Sequence, residues 1–278
     1  SLRAAEIIAD EIMLGKVDIG GVVGIESMTN YPYILLNARK GYRLGDGEVL
    51  HDGLMLGGLI CPWNGYHMGV TAENIADMYG ITREEQDELA LLSHQRACKA
   101  IKAGLFKDEI VPVEIKTKKG TRIFDTDEHP REDASMESFS KLKPAFKKGG
   151  TVTAANASGL NDAAAAIIMM SAEKAEELGI KPLARVVASA TGGVDPKIMG
   201  MGVVPAVRRA LKFAGMEQNQ IDYWEINEAF AAQFLGCNRE LKIDMDRVNA
   251  VGSGISLGHP VGATGVRLLV TGINELKR

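Results

Sequence analysis

The strongest chemical signal in the chain is Gly258-His259-Pro260, followed by Val261-Gly262-Ala263-Thr264-Gly265. Proline and the glycines preset a tight turn that leads into a helical pattern. At a helix start the first backbone N–H groups lack intrahelical partners, point outward and favour negative charge. An imidazole there can polarise an oxygen or take the proton of a thiol. The competing reading is a histidine packed in a turn; the glycines, which let a ligand approach the backbone, weigh against it. A second signal is Asn227-Glu228-Ala229-Phe230, placed after a strand and before a helix. Open α/β sheets put their sites at the carboxyl ends of strands. Asn227 can hold a water or donate to an oxyanion, and it can equally cap the next helix; on residue type alone the cap prevails. His67-Met68-Gly69, ahead of a helix N-cap, could face a ligand, although a lone loop histidine is more often structural. Asn156-Ala157-Ser158-Gly159-Leu160-Asn161-Asp162 gathers donors and acceptors at one more junction.

The elements that must position these residues fall into zones. Leu2, Ala5, Ile8, Ala9, Ile12 and Met13 repeat at helical spacing, and Gly15 closes that helix. Gly21 to Ile25 reads as a short buried strand. Residues 30–159 are polar and irregular between short helices. Thr82 caps a helix there with Glu84 and Glu85 in its first turn; it runs to about Ala103 and stops at Gly104. Residues 110–124 read as a hairpin. Lys141, Lys143, Lys147 and Lys148, with Arg131 upstream, form either a solvated face or an anion contact. Beyond Asp162 the sequence predicts an alanine-rich helix. A strand follows over Leu183–Ala190, a helix over Val204–Ala214 with Pro205 near its first turn, and a strand over Ile221–Ile226. Ala229–Arg239 reads as helix, Val248–Val251 as strand, and a last helix carries Val266 to Leu276.

Alternating strands and helices define a layered α/β fold. Residues 1–29 and 160–182 are expected to form one half of its core and 183–278 the other, with 30–159 a loop domain over the site. The first and last helices look like equivalent parts of a duplicated unit. The chain opens without Met and begins and ends inside helices, so it is expected to be an internal piece of a longer protein, truncated at both ends.

Composition removes several classes. The 278 residues are 46% hydrophobic and 24% charged, a globular profile. A net charge of −4 gives no support for nucleic-acid binding. The longest clean apolar run, Ala163 to Met170, is far short of the roughly 20 residues that span a bilayer, and no signal-peptide pattern opens the chain. Three widely spaced cysteines, Cys61, Cys98 and Cys237, fit neither a disulfide framework nor a zinc knuckle. They point to a reducing, cytoplasmic setting.

Taken together and in order, these segments resemble the thiolase family, over the whole chain. His259 matches the family's GHPxGxxG histidine and Asn227 the Asn of its NEAF motif. Asn156 to Asp162 is similar to its NASGLND segment, Val194-Asp195-Pro196-Lys197-Ile198-Met199-Gly200 to its DPxxMG loop, and Glu26-Ser27-Met28-Thr29 to its ESMS strand end. The resemblance implies an αβαβα layered fold and a cysteine acyl-enzyme that condenses two acetyl-CoA to acetoacetyl-CoA, or runs the reverse thiolysis, in a ping-pong scheme. Two departures matter. Ser1-Leu2-Arg3-Ala4 resembles the end of the family's C-x-S-[GS]-L-x-A segment, which places the nucleophilic cysteine upstream of Ser1. The CxG cysteine would lie beyond Arg278. Cys61, Cys98 and Cys237 read as small apolar fillers or bystanders, so the chain as given is expected to be inactive. A smaller departure is Val251-Gly252-Ser253, where the family has Asn-Gly-Gly.

By the same resemblance His259 activates the nucleophile and helps hold an oxyanion, and Asn227 holds a water completing that hole. His67 and Met68 line the pantetheine channel, and Met199, Ala229 and Phe230 shape the acyl pocket. Ser158 bonds the pantetheine and Arg131 approaches the nucleotide phosphates. Coenzyme A enters as a thioester substrate; no metal, prosthetic group, nucleic acid or membrane is implied. A homodimer or homotetramer is implied for the full-length protein. His67-Met68-Gly69 is similar to the short-chain, biosynthetic members. The alternatives are a degradative 3-ketoacyl-CoA thiolase and a non-catalytic thiolase-like protein that binds CoA or lipid. A ketoacyl synthase relative is disfavoured because no second histidine sits in a matching helix-start motif.

Overall fold

The computed structural model describes residues 1–45 and 47–278. Helix α1 (Leu2–Met13) buries Ala5 and Ala9, and Gly15 leaves it at φ 68°. Strand β1 (Ile19–Ser27) follows. Two short pieces, β2 (Tyr33–Ile34) and β3 (His51–Asp52), pair antiparallel. Helix α2 (Met68–Tyr79) is followed by α3 (Arg83–Lys102). Strands β4 (Val113–Thr117) and β5 (Gly120–Phe124) form the expected hairpin. Helix α4 (Met136–Ser140) and strand β6 (Asp162–Met170) come next, then α5 (Ala172–Glu177), α6 (Val203–Ala214), α7 (Ala231–Leu241), α8 (Gly254–Leu257) and α9 (Val261–Lys277).

Strands β1 and β6 pair antiparallel along their whole length, from Ile19 opposite Met170 to Ser27 opposite Asp162. Helices α1 and α9 lie together on one face of this ribbon, where Ala5, Val22 and Val266 make a small core with Ile8, Ile167 and Leu269. The glycines of β1 permit that closeness. A Cβ at Gly20 would collide with Ile8 of α1. One at Gly24 would lie 2.6 Å from Ser1 Oγ and 2.7 Å from the Gly262 carbonyl oxygen of α9. The larger core joins α2, α3 and α7, around Ile75, Ala90, Phe234, Val248 and Ile255. Helix α3 is fixed at its start by a capping box: Thr82 Oγ1 accepts from Glu85 N, and Glu85 Oε2 accepts from Thr82 N.

Several expectations fail, each for a physical reason. The run Ala163 to Met170 is strand and not helix. Its alanines are strong helix formers, but eight cross-strand partners in β1, from Ile19 to Glu26, override propensity. Leu183–Ala190 forms no strand; among the described residues none pairs with it, and Val186 and Val187 are exposed. The strands at 221–226 and 248–251 reduce to one parallel bridge, Trp224 to Val248. Helix α7 starts at Ala231, because Ala157 and Phe230 form a bridge that keeps Ala229–Phe230 extended. His67 does not precede the N-cap of α2 but is that cap, its Nδ1 accepting from Gly69 N at 2.9 Å.

Candidate active site

Three chain segments meet, and 156–161 is the one that ties the other two. Ala231 N donates to Asn156 O at 2.8 Å and Ser158 N to Ala229 O at 3.0 Å, which docks it on the Asn227 segment. His259 N donates to Gly159 O at 3.3 Å, and the Asn161 amide packs so closely on Gly258 that any Cβ there would collide with it. Gly258 also sits at φ 89°, a conformation that favours glycine. The turn before His259 is thus fixed by both backbone preference and contact.

The side-chain partner of His259 is Thr264. Thr264 Oγ1 donates its single proton to Pro260 O at 2.9 Å. With the hydroxyl proton directed at Pro260 O, Oγ1 accepts at the 2.8 Å contact with His259 Nδ1 and that nitrogen carries the N–H. Nε2 then keeps its lone pair, the state a general base requires. Burial, and after it the Arg267 guanidinium, push the imidazole down to about 4, with Glu26 opposing. The ring is therefore neutral at pH 7.

Asn227 is not a helix cap, since α7 is capped at Phe230. Its carboxamide oxygen is buried with no protein partner and lies against Gly254, where a Cβ would come within 2.6 Å. Buried polar atoms are rarely left unpaired, and Asn227 Oδ1 is one of five such side-chain atoms among the described residues. The neighbouring Glu228 is fully committed: Oε2 accepts from Ser93 Oγ at 2.6 Å and Oε1 from Asn249 Nδ2 at 3.0 Å. Asn249 also bonds both backbone groups of Ile226, so it holds the segment that presents Asn227.

A second cluster is aromatic. His67 stacks on Phe146 with ring centroids 4.5 Å apart, and Phe146 meets Phe230 edge-on at 5.9 Å. Because His67 Nδ1 accepts from Gly69 N, the neutral ring offers Nε2–H; burial lowers its pKa further. Met68 opens α2 beside it. Met199 sits in the 3₁₀ stretch Pro196–Gly202, half exposed, and Asn74 Nδ2 ties that stretch to α2 by donating to Lys197 O at 2.9 Å. Ser158 and Ala229 are part-buried at the junction of segments. Arg131 is exposed in a groove with Cys98, Lys99 and Lys102 of α3, and its backbone N donates to His94 Nδ1. Of the lysines noted from sequence, Lys141 pairs with Glu137 and Lys147 with Asp77. The arrangement brings His67 and Phe230 together through Phe146, and the 156–161 segment bonds both the chain after Asn227 and the His259 turn.

Sequence reasoning missed Phe146, and it named Thr264 and Asn161 within their motifs without the contacts they make. The aromatic residue in the polar stretch Lys143-Pro144-Ala145-Phe146-Lys147 was a signal for the first, and the hydroxyl one helical turn after Pro260 for the second. The cysteines stand apart. Cys61 Sγ accepts from Asn64 Nδ2 in the turn before α2, Cys98 lies on α3, and Cys237, pushed up to about 11 by burial, donates to Gly200 O from α7. Among the described residues no His, Cys, Asp and Glu cluster is placed to hold a metal ion, and no helix is long and apolar enough to cross a membrane.

A neutral histidine in the turn before α9 and an unpaired amide in the segment before α7 are both tied to the same 156–161 stretch of an α/β scaffold. Comparison with known proteins gives the family. The thiolase N-terminal domain matches residues 1–173 and the thiolase C-terminal domain residues 180–278. An acetyl-CoA acetyltransferase of Syntrophomonas wolfei is 55% identical over 281 residues, covering 100% of this chain and 70% of that protein. A beta-ketothiolase of Cupriavidus necator is 52% identical, with 100% and 70% covered. The solved Syntrophomonas wolfei structure superposes at a TM-score of 0.96, with 100% of this chain and 71% of that chain covered at 56% identity. Human mitochondrial 3-ketoacyl-CoA thiolase does so at 0.96, with 99% and 70% covered at 42% identity; a second structure of it, in complex with CoA, superposes at 0.95. The chain belongs to the thiolase family. It has the thiolase-type α/β fold and is an acyltransferase of that type.

Proposed function

We propose that the full-length protein is an acetyl-CoA C-acetyltransferase, condensing two acetyl-CoA to acetoacetyl-CoA and catalysing the reverse thiolysis through a cysteine acyl-enzyme. The observation that carries this is the His259 tautomer, with Nδ1–H committed to Thr264 and Nε2 free to take a thiol proton. The thiolate attacks the thioester carbonyl, and the resulting oxyanion is met by His259 and by a water on Asn227. Collapse expels CoA, which leaves with the proton, and an acetyl-enzyme remains. A second base removes a methyl proton from a second acetyl-CoA. That carbanion displaces the enzyme thiolate, forming the new carbon–carbon bond.

None of Cys61, Cys98 and Cys237 suits the nucleophile by position, so the reading assigns it to residues preceding Ser1. Support comes from where Ser1 lies. Its Oγ accepts from Val266 N of α9 at 3.1 Å, and it packs on Gly24 beside Gly262, so a residue just ahead of it emerges next to the His259 turn. His67, Met68, Met199, Ala229 and Phe230 then line the pantetheine and acyl space, Ser158 bonds the pantetheine and Arg131 approaches the nucleotide phosphates. Residues 30–159 cover the site, and a homodimer or homotetramer belongs to the same reading.

A degradative 3-ketoacyl-CoA thiolase is the second reading, favoured by the fold match to the human mitochondrial enzyme. The His67-Met68-Gly69 triplet, similar to that of the short-chain, biosynthetic members, supports the short-chain assignment. The test is thiolysis by the full-length protein of acetoacetyl-CoA against a 3-ketoacyl-CoA of long chain, with His259→Asn as control. Preference for the long chain overturns the substrate, and full activity of His259→Asn overturns the base.

A further inference from the structure

We propose that Glu26 is a positioning residue for His259, its carboxylate seating the first turn of α9 on the end of β1 and supporting the protonated imidazole. Glu26 comes from the strand end, opposite Ala163 of β6. Its Oε2 accepts from Gly262 N, the second residue of α9, at 3.0 Å. The N-cap position of α9 is Pro260, which has no side-chain acceptor, so a residue distant in sequence supplies the oxygen that a local cap normally gives. The approach is close. A Cβ at Gly262 would collide with the Ile25 carbonyl oxygen and lie 3.4 Å from Glu26 Oε2. The helix start that carries His259 is thereby held against the strand with no side chain between them.

The charge has a separate consequence. A base must carry a proton during the reaction, and its surroundings oppose that. Burial disfavours the imidazolium, the α9 N-terminus is the positive end of a helix, and Arg267 lies further along the same helix. The hydrogen-bond partner of the ring is the neutral Thr264 hydroxyl of α9, and on the adjoining segments His129 packs on Gly159 and meets Ser256 O through Nδ1. Behind them, Glu228 is bonded to Ser93 and Asn249, and Asp162 accepts from Thr29 N. Tyr31 faces Glu26 from the other side, and its ionisation is pushed up by that carboxylate. Glu26 is left as the acidic group that acts on His259, and it raises the imidazole against the other influences.

The inference rests on the reading of His259 as the base, and the experiment separates the two. In the full-length protein, Glu26→Gln keeps an oxygen acceptor for Gly262 N and removes the charge, Glu26→Asp keeps the charge, and Glu26→Ala removes both. The readouts are the His259 imidazole titration by NMR, assigned by difference from His259→Asn, and the pH profile of kcat/KM for acetoacetyl-CoA thiolysis. Glu26→Gln should move the His259 titration down by about one pH unit, the lower end of what an adjacent opposite charge imposes. The acidic limb of the rate profile should move with it, and Glu26→Asp should restore most of the shift. Should Glu26→Ala fail to fold, Glu26→Gln still decides. An unmoved titration in Glu26→Gln, with or without lost activity, reduces Glu26 to a helix cap and overturns the proposal. If His259→Asn is as active as wild type, the base assignment falls and this proposal with it; if His259→Asn is inactive and Glu26→Gln is unmoved, this proposal alone falls.

Discussion

Replacing Thr264 with valine removes a hydroxyl and almost no volume, from a residue that is 3% exposed. In the native arrangement the hydroxyl bridges His259 Nδ1 at 2.8 Å and Pro260 O at 2.9 Å. Without it, the Nδ1–H tautomer loses its acceptor in a buried site, at a cost of about 1–3 kcal/mol. Either the ring keeps that tautomer unpaired, or it rotates or shifts its proton to Nε2; in each case the free lone pair on Nε2 becomes a minority state. At 1.36 kcal/mol per tenfold in rate, kcat/KM should fall by roughly 5- to 150-fold. Thr264→Ser keeps the hydroxyl and should stay close to wild type. The assay is thiolysis of acetoacetyl-CoA by the full-length protein, beside the pH dependence of inactivation by iodoacetamide. The melting temperature separates lost folding from lost chemistry. A Thr264→Val enzyme within twofold of wild type, with an unchanged alkylation profile, would falsify the tautomer argument.

Other expectations can be checked alongside. His259→Asn, which keeps a donor but not a base, should lower turnover by about 10²–10⁴-fold, and Asn227→Ala by roughly 10²-fold through the oxyanion; steady-state kinetics on both variants decides. The 278-residue polypeptide itself should show no thiolysis, and mass spectrometry after incubation with acetyl-CoA should find no acetyl group on Cys61, Cys98 or Cys237; a stable acetyl adduct on any of them contradicts the assignment of the nucleophile. Glu225 is raised from 4.5 to about 7, chiefly by burial, with Arg267 and Tyr223 opposing. Its proton therefore stabilises the native state below about pH 4.5, and this contribution is lost as pH rises through about 7. Wild type should lose melting temperature relative to Glu225→Gln over that window, and a constant difference between the two would show that Glu225 does not titrate there.

The parts legible in sequence were those whose signals are local. The capping box of α3 is written in Thr82 and Glu85, and the β4–β5 hairpin in a lysine-rich turn between β-formers. His259 was legible because glycine and proline on either side leave the backbone little choice. The parts that failed depend on partners far along the chain. Ala163 to Met170 is apolar on both faces, so it lacks the alternation that marks a strand, and only β1, 143 residues away from Asp162 to Ile19 in sequence, makes it one. Leu183–Ala190 has the composition of a strand and, among the described residues, no strand paired with it.

Asn227 shows how the same difference reaches function. Its sequence context, polar and just before a helix, is what a cap looks like, and composition alone favours that role. What excludes the cap is a single bridge between Ala157 and Phe230, which keeps the chain extended until Ala231. The bridge in turn exists because Asn156 O accepts from Ala231 N and Ser158 N donates to Ala229 O. Asn227 is thus freed from helix duty by residues some 70 positions earlier, and its amide oxygen is left buried and unpaired. Asn161, from the same short segment, sets the Gly258 turn that aims His259. One stretch of chain therefore positions both groups that the proposed chemistry needs, so a perturbation there, such as Asn161→Ala, should disturb the proposed base and the amide together. Loss of turnover with both the His259 titration and the Asn227-dependent step unaltered would separate them and break this coupling.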